Sequence, residues 1–160
     1  MARFRFLKNS EETTTFSPLV SHGYSDGVFN PSILSTKDNK FYAFRHGDVS
    51  KNKRPQSFFA HHEVEFSRMH LLNLSEELET SQMPYIADPK LFHIGEETWI
   101  TFNTGHQEEP NNIYKMRVHP TAGEPIKCDL GERRSIEKNW GFFSYNEELY
   151  AYYGITPLEI

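Results

Sequence analysis

Asp88-Pro89-Lys90-Leu91-Phe92, a turn at Gly95-Glu96-Glu97, then Thr98-Trp99-Ile100-Thr101-Phe102-Asn103-Thr104-Gly105 reads as one unit of a repeat. It holds a polar residue, a short apolar strand, a polar turn, and an aromatic-bearing strand that ends at glycine. The same order occurs earlier, as Asn30-Pro31-Ser32-Ile33-Leu34, a turn over Thr36-Lys37-Asp38-Asn39-Lys40, and Phe41-Tyr42-Ala43-Phe44-Arg45-His46-Gly47. It recurs as Glu137-Lys138-Asn139-Trp140-Gly141-Phe142-Phe143, a turn at Asn146-Glu147-Glu148, and Leu149-Tyr150-Ala151-Tyr152-Tyr153-Gly154. Taken from Asn30, Asp88 and Glu137, the spacings are 58 and 49 residues, near the roughly 40–50-residue period of β-propeller blades.

The intervals supply further strands. Ser57 to Glu65 and Arg68 to Leu74 have strand character after the first hairpin, with a turn at Ser75-Glu76-Glu77. After the second, Asn111 to Val118 is a third strand, Pro120 to Gly123 a turn, and Pro125 to Leu130 a fourth strand. Four strands per repeat, punctuated by Gly, Pro, Asn and Asp, is the propeller pattern. The alternatives are a three-layer α/β fold or a sandwich, in which hairpins also recur. Helical periodicity is arguable only over Leu71 to Glu79. The expected fold is therefore all-β, a single partial propeller domain over residues 1–160 of about two and a half antiparallel blades. A closed propeller has about 4–8 blades, so closure calls for blades from a longer chain, from self-association, or from a lost segment. Arg3 to Lys8 reads as a strand able to clasp a distant blade.

Composition narrows the function. Aromatic residues make up 14% of the chain, which suits strands and sugar-facing surfaces. The formal charge of −5 gives no electrostatic reason to expect nucleic acid. No apolar run approaches the roughly 18 residues of a membrane span, and the first ten residues lack a signal-peptide core. A cytoplasmic address is the default expectation. Cys128 is the lone cysteine, so neither an internal disulfide nor a cysteine metal cluster is expected. No Gly-rich phosphate loop and no Ser-His-Asp arrangement can be read, and nothing calls for a cofactor.

Asn30-Pro31-Ser32-Ile33 with Phe44-Arg45, Asp88-Pro89-Lys90-Leu91-Phe92, and Glu137-Lys138-Asn139-Trp140 through Phe143 with Tyr153-Gly154-Ile155-Thr156-Pro157 resemble a carbohydrate-active group. It is the five-bladed propeller superfamily of glycoside hydrolases, mannoside phosphorylases and related glycosyltransferases. The resemblance covers about residues 28–160, the first half of such a domain. It implies a carbohydrate substrate, with phosphate or a sugar acceptor as second reactant.

In a propeller, residues at the starts of the innermost strands converge on a central funnel. Glycosidic cleavage needs an acid on the leaving oxygen and commonly a second carboxyl opposite it. Asp88 and Glu137, at like positions in the repeat, are the catalytic candidates. The resemblance implies Asp88 as general acid, with Glu137 binding a sugar hydroxyl or serving as the acid instead. The plain structural alternative for Asp88 is a turn cap before Pro89. Asn30 stands where the hydrolase members carry an aspartate, and its amide is no base near neutral pH. That departure favours phosphorylase-like or transferase-like chemistry, or else a non-catalytic, truncated sugar-binding module. Arg45 suits planar recognition of phosphate or sugar oxygens. Lys138, Asn139 and Trp140 complete the substrate-binding candidates, while Arg133-Arg134 reads as solvated surface. Trp140 and Phe143 can stack on sugar or pack the blade, and packing is the expectation for Phe143. His46, Asp48, His61 and His62 invite a metal reading, but neighbouring strand residues face opposite sides, so hydrogen-bonded or surface histidines and no metal are expected. Asn73-Leu74-Ser75 is a glycosylation sequon with no secretion signal beside it.

Overall fold

The computed structural model describes residues 27–47, 54–66, 68–79, 83, 85–105, 110–129, 131, 135–146, 148–152, 154–155 and 158–159. The expected clasp at Arg3 to Lys8, together with Asp48 and Arg133-Arg134, lies outside them.

The described chain is mostly β. A first antiparallel sheet runs β1 (Val28–Ser35), β2 (Asn39–His46), β3 (Gln56–Glu63) and β4 (Arg68–Asn73), in sequence order. A six-residue helix α1 (Leu74–Glu79) follows. The second sheet repeats the plan with β5 (Ala87–Ile94), β6 (Glu97–Asn103), β7 (Ile113–His119) and β8 (Ile126–Cys128). A hairpin of β9 (Gly141–Tyr145) and β10 (Glu148–Tyr152) comes third, then a short pair, β11 (Gly154–Ile155) and β12 (Leu158–Glu159). The three expected hairpins are thus present, each within a few residues of its expected bounds. Neither four-stranded sheet closes on itself: β1 and β4 are edges of one, β5 and β8 of the other.

The turns follow from their residues. Gly95, with φ of +58°, is the first of two residues joining β5 to β6, where a type II′ turn places glycine. Asn146, at φ +49°, holds the same place between β9 and β10, a conformation asparagine tolerates better than most residues. The Ser75-Glu76-Glu77 turn expected from sequence is instead the first turn of α1. Asn73 caps it, its Oδ1 accepting the Glu76 N–H at 3.4 Å, and Glu76 and Glu77 favour the helix N-terminus. Leu74 and Leu78, one turn apart, are both buried.

Strand alternation builds the core. On β2, Phe41 and Ala43 join Phe59, Leu91, Ile100, Phe102 and Met116 in one cluster spanning both sheets. Tyr42 and Phe44, pointing the other way, form a second cluster with Phe58 and Ala60. The second sheet in turn meets the hairpin: Phe92 of β5 stacks on Phe142 of β9 at 5.1 Å. The three β units therefore lie side by side, with first strands in contact, β1 beside β5 and β5 beside β9. Gly141 is dictated by its own hairpin, since a Cβ there would overlap the ring of Tyr152, its cross-strand partner. Phe143 departs from expectation. It is 38% exposed and stacks at 5.6 Å on Tyr150, its cross-strand partner, because alternation turns Phe142, not Phe143, toward β5.

Candidate functional site

The first strands carry the site at their entries. β1 loses register between Phe29 and Ser32, and β5 between Ala87 and Lys90. The interruptions are Asn30-Pro31 and Asp88-Pro89. Proline has no N–H for the ladder, so each pair is accommodated as an irregularity that bends the strand. Asn30 and Asp88 take φ of +49° and +51°, in the left-handed region that Asn and Asp visit more readily than other side-chain-bearing residues. In the third unit the residue in this conformation is Asn139, at φ +65°. Asn139, and not Glu137, is thus the counterpart of Asn30 and Asp88, which corrects the assignment of Glu137 to that position.

Two residues before these positions the units match again. Ile86 and Glu137 are 2% and 3% exposed, and each offers its carbonyl to the preceding sheet. Ser57 Oγ donates to the Ile86 oxygen at 2.9 Å. Asn111 Nδ2 donates to the Glu137 oxygen at 2.6 Å, and its Oδ1 accepts the Glu137 N–H at 2.6 Å. Glu137 occupies a buried joint, its carboxylate accepting the Trp140 indole N–H at 3.3 Å. Trp140, at 4% exposure, is likewise packed inside, leaving no ring face for a sugar.

The remaining candidates converge. Asn30 Nδ2 donates to Asp88 Oδ1 at 2.5 Å, linking the first two units. Lys90 Nζ donates to Asn139 Oδ1 at 3.1 Å, linking the second and third. Arg45, near the end of β2, has Nη1 3.6 Å from Asp88 Oδ1. It donates to the Tyr85 hydroxyl, and its guanidinium lies 5.1 Å from the Phe29 ring centre and 5.3 Å from that of Tyr85. A charge held between two aromatic faces and a carboxylate is fixed in orientation. The Arg54 guanidinium also lies over the Tyr85 ring, 5.7 Å from its centre.

Asp88 and Lys138 both line two hollows. One, of about 280 Å³, is bounded also by Arg45, Arg54, Tyr85 and Asn111. The other, of about 270 Å³, is bounded also by Asn30, Lys90 and Asn139. Among the described lining residues four are cationic (Arg45, Arg54, Lys90, Lys138), and Asp88 is the one carboxylate. In a chain of formal charge −5, this is a local surplus of positive charge suited to an anion. Burial lowers the Lys90 pKa, and the Asp88 carboxylate partly offsets that.

Other features stay outside the site. Among the described residues no group of three His, Cys, Asp or Glu side chains could hold a metal ion. Burial pushes the Cys128 thiol up, away from the thiolate that nucleophilic chemistry requires. Among the described residues no helix is long and apolar enough to cross a membrane.

Sequence reading missed Arg54, Tyr85, Lys90 and Asn111. Lys90 stood inside the quoted Asp-Pro-Lys motif and had a usable signal. Tyr85 and Arg54 lie in connections before strands, where no periodicity marks them. Gly105 is the hidden sign of Tyr85: at φ +62°, a Cβ there would fall 2.6 Å from the Tyr85 ring.

No protein-family model matches this chain, and neither a curated protein nor a solved structure is significantly similar to it.

Proposed function

We propose that the chain is part of a carbohydrate-active β-propeller whose strand-entry site binds a phosphorylated sugar, or phosphate beside a sugar, for phosphorolysis or glycosyl transfer. The observation that carries this reading is the cationic pair of hollows meeting at Asp88. The propeller reading rests on three antiparallel units with adjoining first strands, each entered through an Asx residue of positive φ. In the proposed reaction Asp88 gives its proton to the leaving glycosidic oxygen as that bond to the anomeric carbon breaks. An oxygen of a protonated phosphate, or of an acceptor hydroxyl, forms the new bond to that carbon and gives up its proton, which returns through solvent to the Asp88 carboxylate. Arg45, Arg54 and Lys138 hold the anion, and Asn30 fixes Asp88.

Hydrolysis by two carboxyls is less well supported. It needs a second carboxyl across the sugar, and Glu137 is committed to its buried joint. That same observation supports the second reading, a sugar-binding module without catalysis.

Isothermal titration of the 160-residue chain with inorganic phosphate and with hexose 1-phosphates tests the proposal. Both should bind, the hexose phosphates more tightly. Arg45→Gln should weaken binding by about 10–100-fold, the worth of a charge-assisted hydrogen bond of roughly 1.5–3 kcal/mol. Neutral sugars binding as tightly as their phosphates would refute the anionic reading. Phosphate binding without release of hexose 1-phosphate or glycoside transfer in any assay would favour the binding module.

A further inference from the structure

The ends of the sheets away from Asp88 gather four histidines at the seam between the first two units. His61 of β3 stands opposite His70 of β4 and Phe41 of β2. From the second sheet, His119 of β7 sets its ring 4.6 Å from His61, edge to face, and 5.1 Å from Phe41. His93 of β5 lies 6.1 Å from Phe41. His61 is 9% exposed, with Nε2 2.7 Å from Asn39 Oδ1.

The charged groups around the cluster are few. Glu63 of β3 contacts His70 Nε2 at 2.8 Å, and Arg68 of β4 stands opposite Glu63 in register. His62 and its partner Lys40 of β2 occupy the other face of the first sheet. On the second sheet, Arg117 of β7 and Glu97 of β6 pair with each other at 2.7 Å. The rings meet through faces and edges, and the described residues hold no metal-ligating group of three.

We propose that the contact of His61 with His119 is an acid-sensitive latch between the first and second units: the two neutral rings close the seam above pH 7, and their protonation loosens it as the pH falls toward 5. The physical cause is crowding. Two imidazoles in edge contact within a partly dry seam cannot both take a proton without placing like charges together.

The acid–base behaviour of the two rings agrees. Burial is the largest influence lowering the His61 pKa; His119, His70 and His62 lower it further, and Glu63 opposes. The His119 pKa is lowered first by burial, then by His93, against an opposing and larger effect of Glu63 than of His93. The unfolded chain takes up these protons near pH 6.5, whereas the folded chain resists them. The stability they contribute is therefore complete above about 6.5 and is lost as the pH falls through the lower folded values. For each histidine held neutral, the unfolding constant rises at most about tenfold between pH 7.5 and 5.5, or about 100-fold for the pair.

Urea unfolding of the intact chain at both pH values, followed by far-UV circular dichroism, reads this ratio. His119→Phe keeps a ring in the seam and should reduce the wild-type acid response, by up to about tenfold. Ring-proton NMR of the wild-type chain provides a measurement that does not depend on the variant folding, and both His61 and His119 should titrate below 6.5. Either histidine titrating at or above 6.5 would overturn the latch, as would an unchanged acid response in a folded His119→Phe protein. Stabilisation of the wild type by zinc at pH 7.5 would overturn it too, by making the cluster a metal site.

Discussion

Asn111→Ala tests the joint between the second and third units most directly. The Asn111 side chain is fully buried and pairs with both backbone groups of Glu137, donating to its oxygen and accepting from its N–H at 2.6 Å each. The amide thus substitutes for a neighbouring strand. Truncation leaves an N–H and a C=O inside the protein without those partners, at about 1–3 kcal/mol for each group. The expected loss is about 2–6 kcal/mol, a large share of the roughly 5–15 kcal/mol that holds a typical domain together. Ser57→Ala makes the matching cut at the first joint, where a single hydroxyl donates to the Ile86 oxygen at 2.9 Å. An under-satisfied carbonyl is tolerated better than an orphaned N–H, so about 1–2 kcal/mol is expected there. Urea unfolding with a common m-value measures both. If Asn111→Ala cost no more than Ser57→Ala, the double role of Asn111 would be wrong.

Substitutions at two further positions separate backbone from side-chain roles at the site. Gly105→Ala places a Cβ 2.6 Å from the Tyr85 ring at a positive φ; it should cost about 1–2 kcal/mol in backbone strain alone and weaken hexose phosphate binding by displacing the ring that braces Arg45, both read by calorimetry and urea titration. Asn30→Gly keeps the φ of +49° accessible but removes the amide that holds Asp88; stability should change little while phosphate affinity falls severalfold, whereas Asn30→Ala should also lose about 1–2 kcal/mol of stability. Equal affinities for wild type and Asn30→Gly would reduce Asn30 to a backbone role.

The hairpins were legible because two independent signals agreed in each. Phe41-Tyr42-Ala43-Phe44 supplies β-prone residues for both faces of a buried strand, and Thr36 to Asn39 supplies the turn. The helix α1 was harder to see, since six residues give no stable periodicity. It is fixed by the Asn73 cap and by two leucines reaching a core assembled from distant strands. Phe143 was misread for a related reason. In Trp140-Gly141-Phe142-Phe143 every second position looks suited to burial, and only the contact of Phe142 with Phe92 decides which side faces inward.

The site was legible in its anchors and not in its register. Asn30 and Asp88 are marked by the proline that follows each, and Arg45 by its place at the end of an aromatic strand. In the third unit Trp140 replaces proline, so the alignment slid by two residues onto Glu137, the more chemically conspicuous side chain. The backbone resolves the ambiguity, because a left-handed strand entry accepts Asn139 and is costly for most other side chains. The same fact shows why chemistry and structure are hard to separate in these residues. An Asx at this place satisfies the chain bend, and the bend sets its short polar side chain against the neighbouring unit: Asn30 reaches Asp88, and Asn139 receives Lys90. A carboxylate in the middle of three such positions, with four cations around the hollows it lines, is more than the bend requires. Asparagine would meet the backbone demand at Asp88 as it does on either side, so the charge there answers not to the bend but to the cations around it, first of all the part-buried Arg45 guanidinium 3.6 Å away.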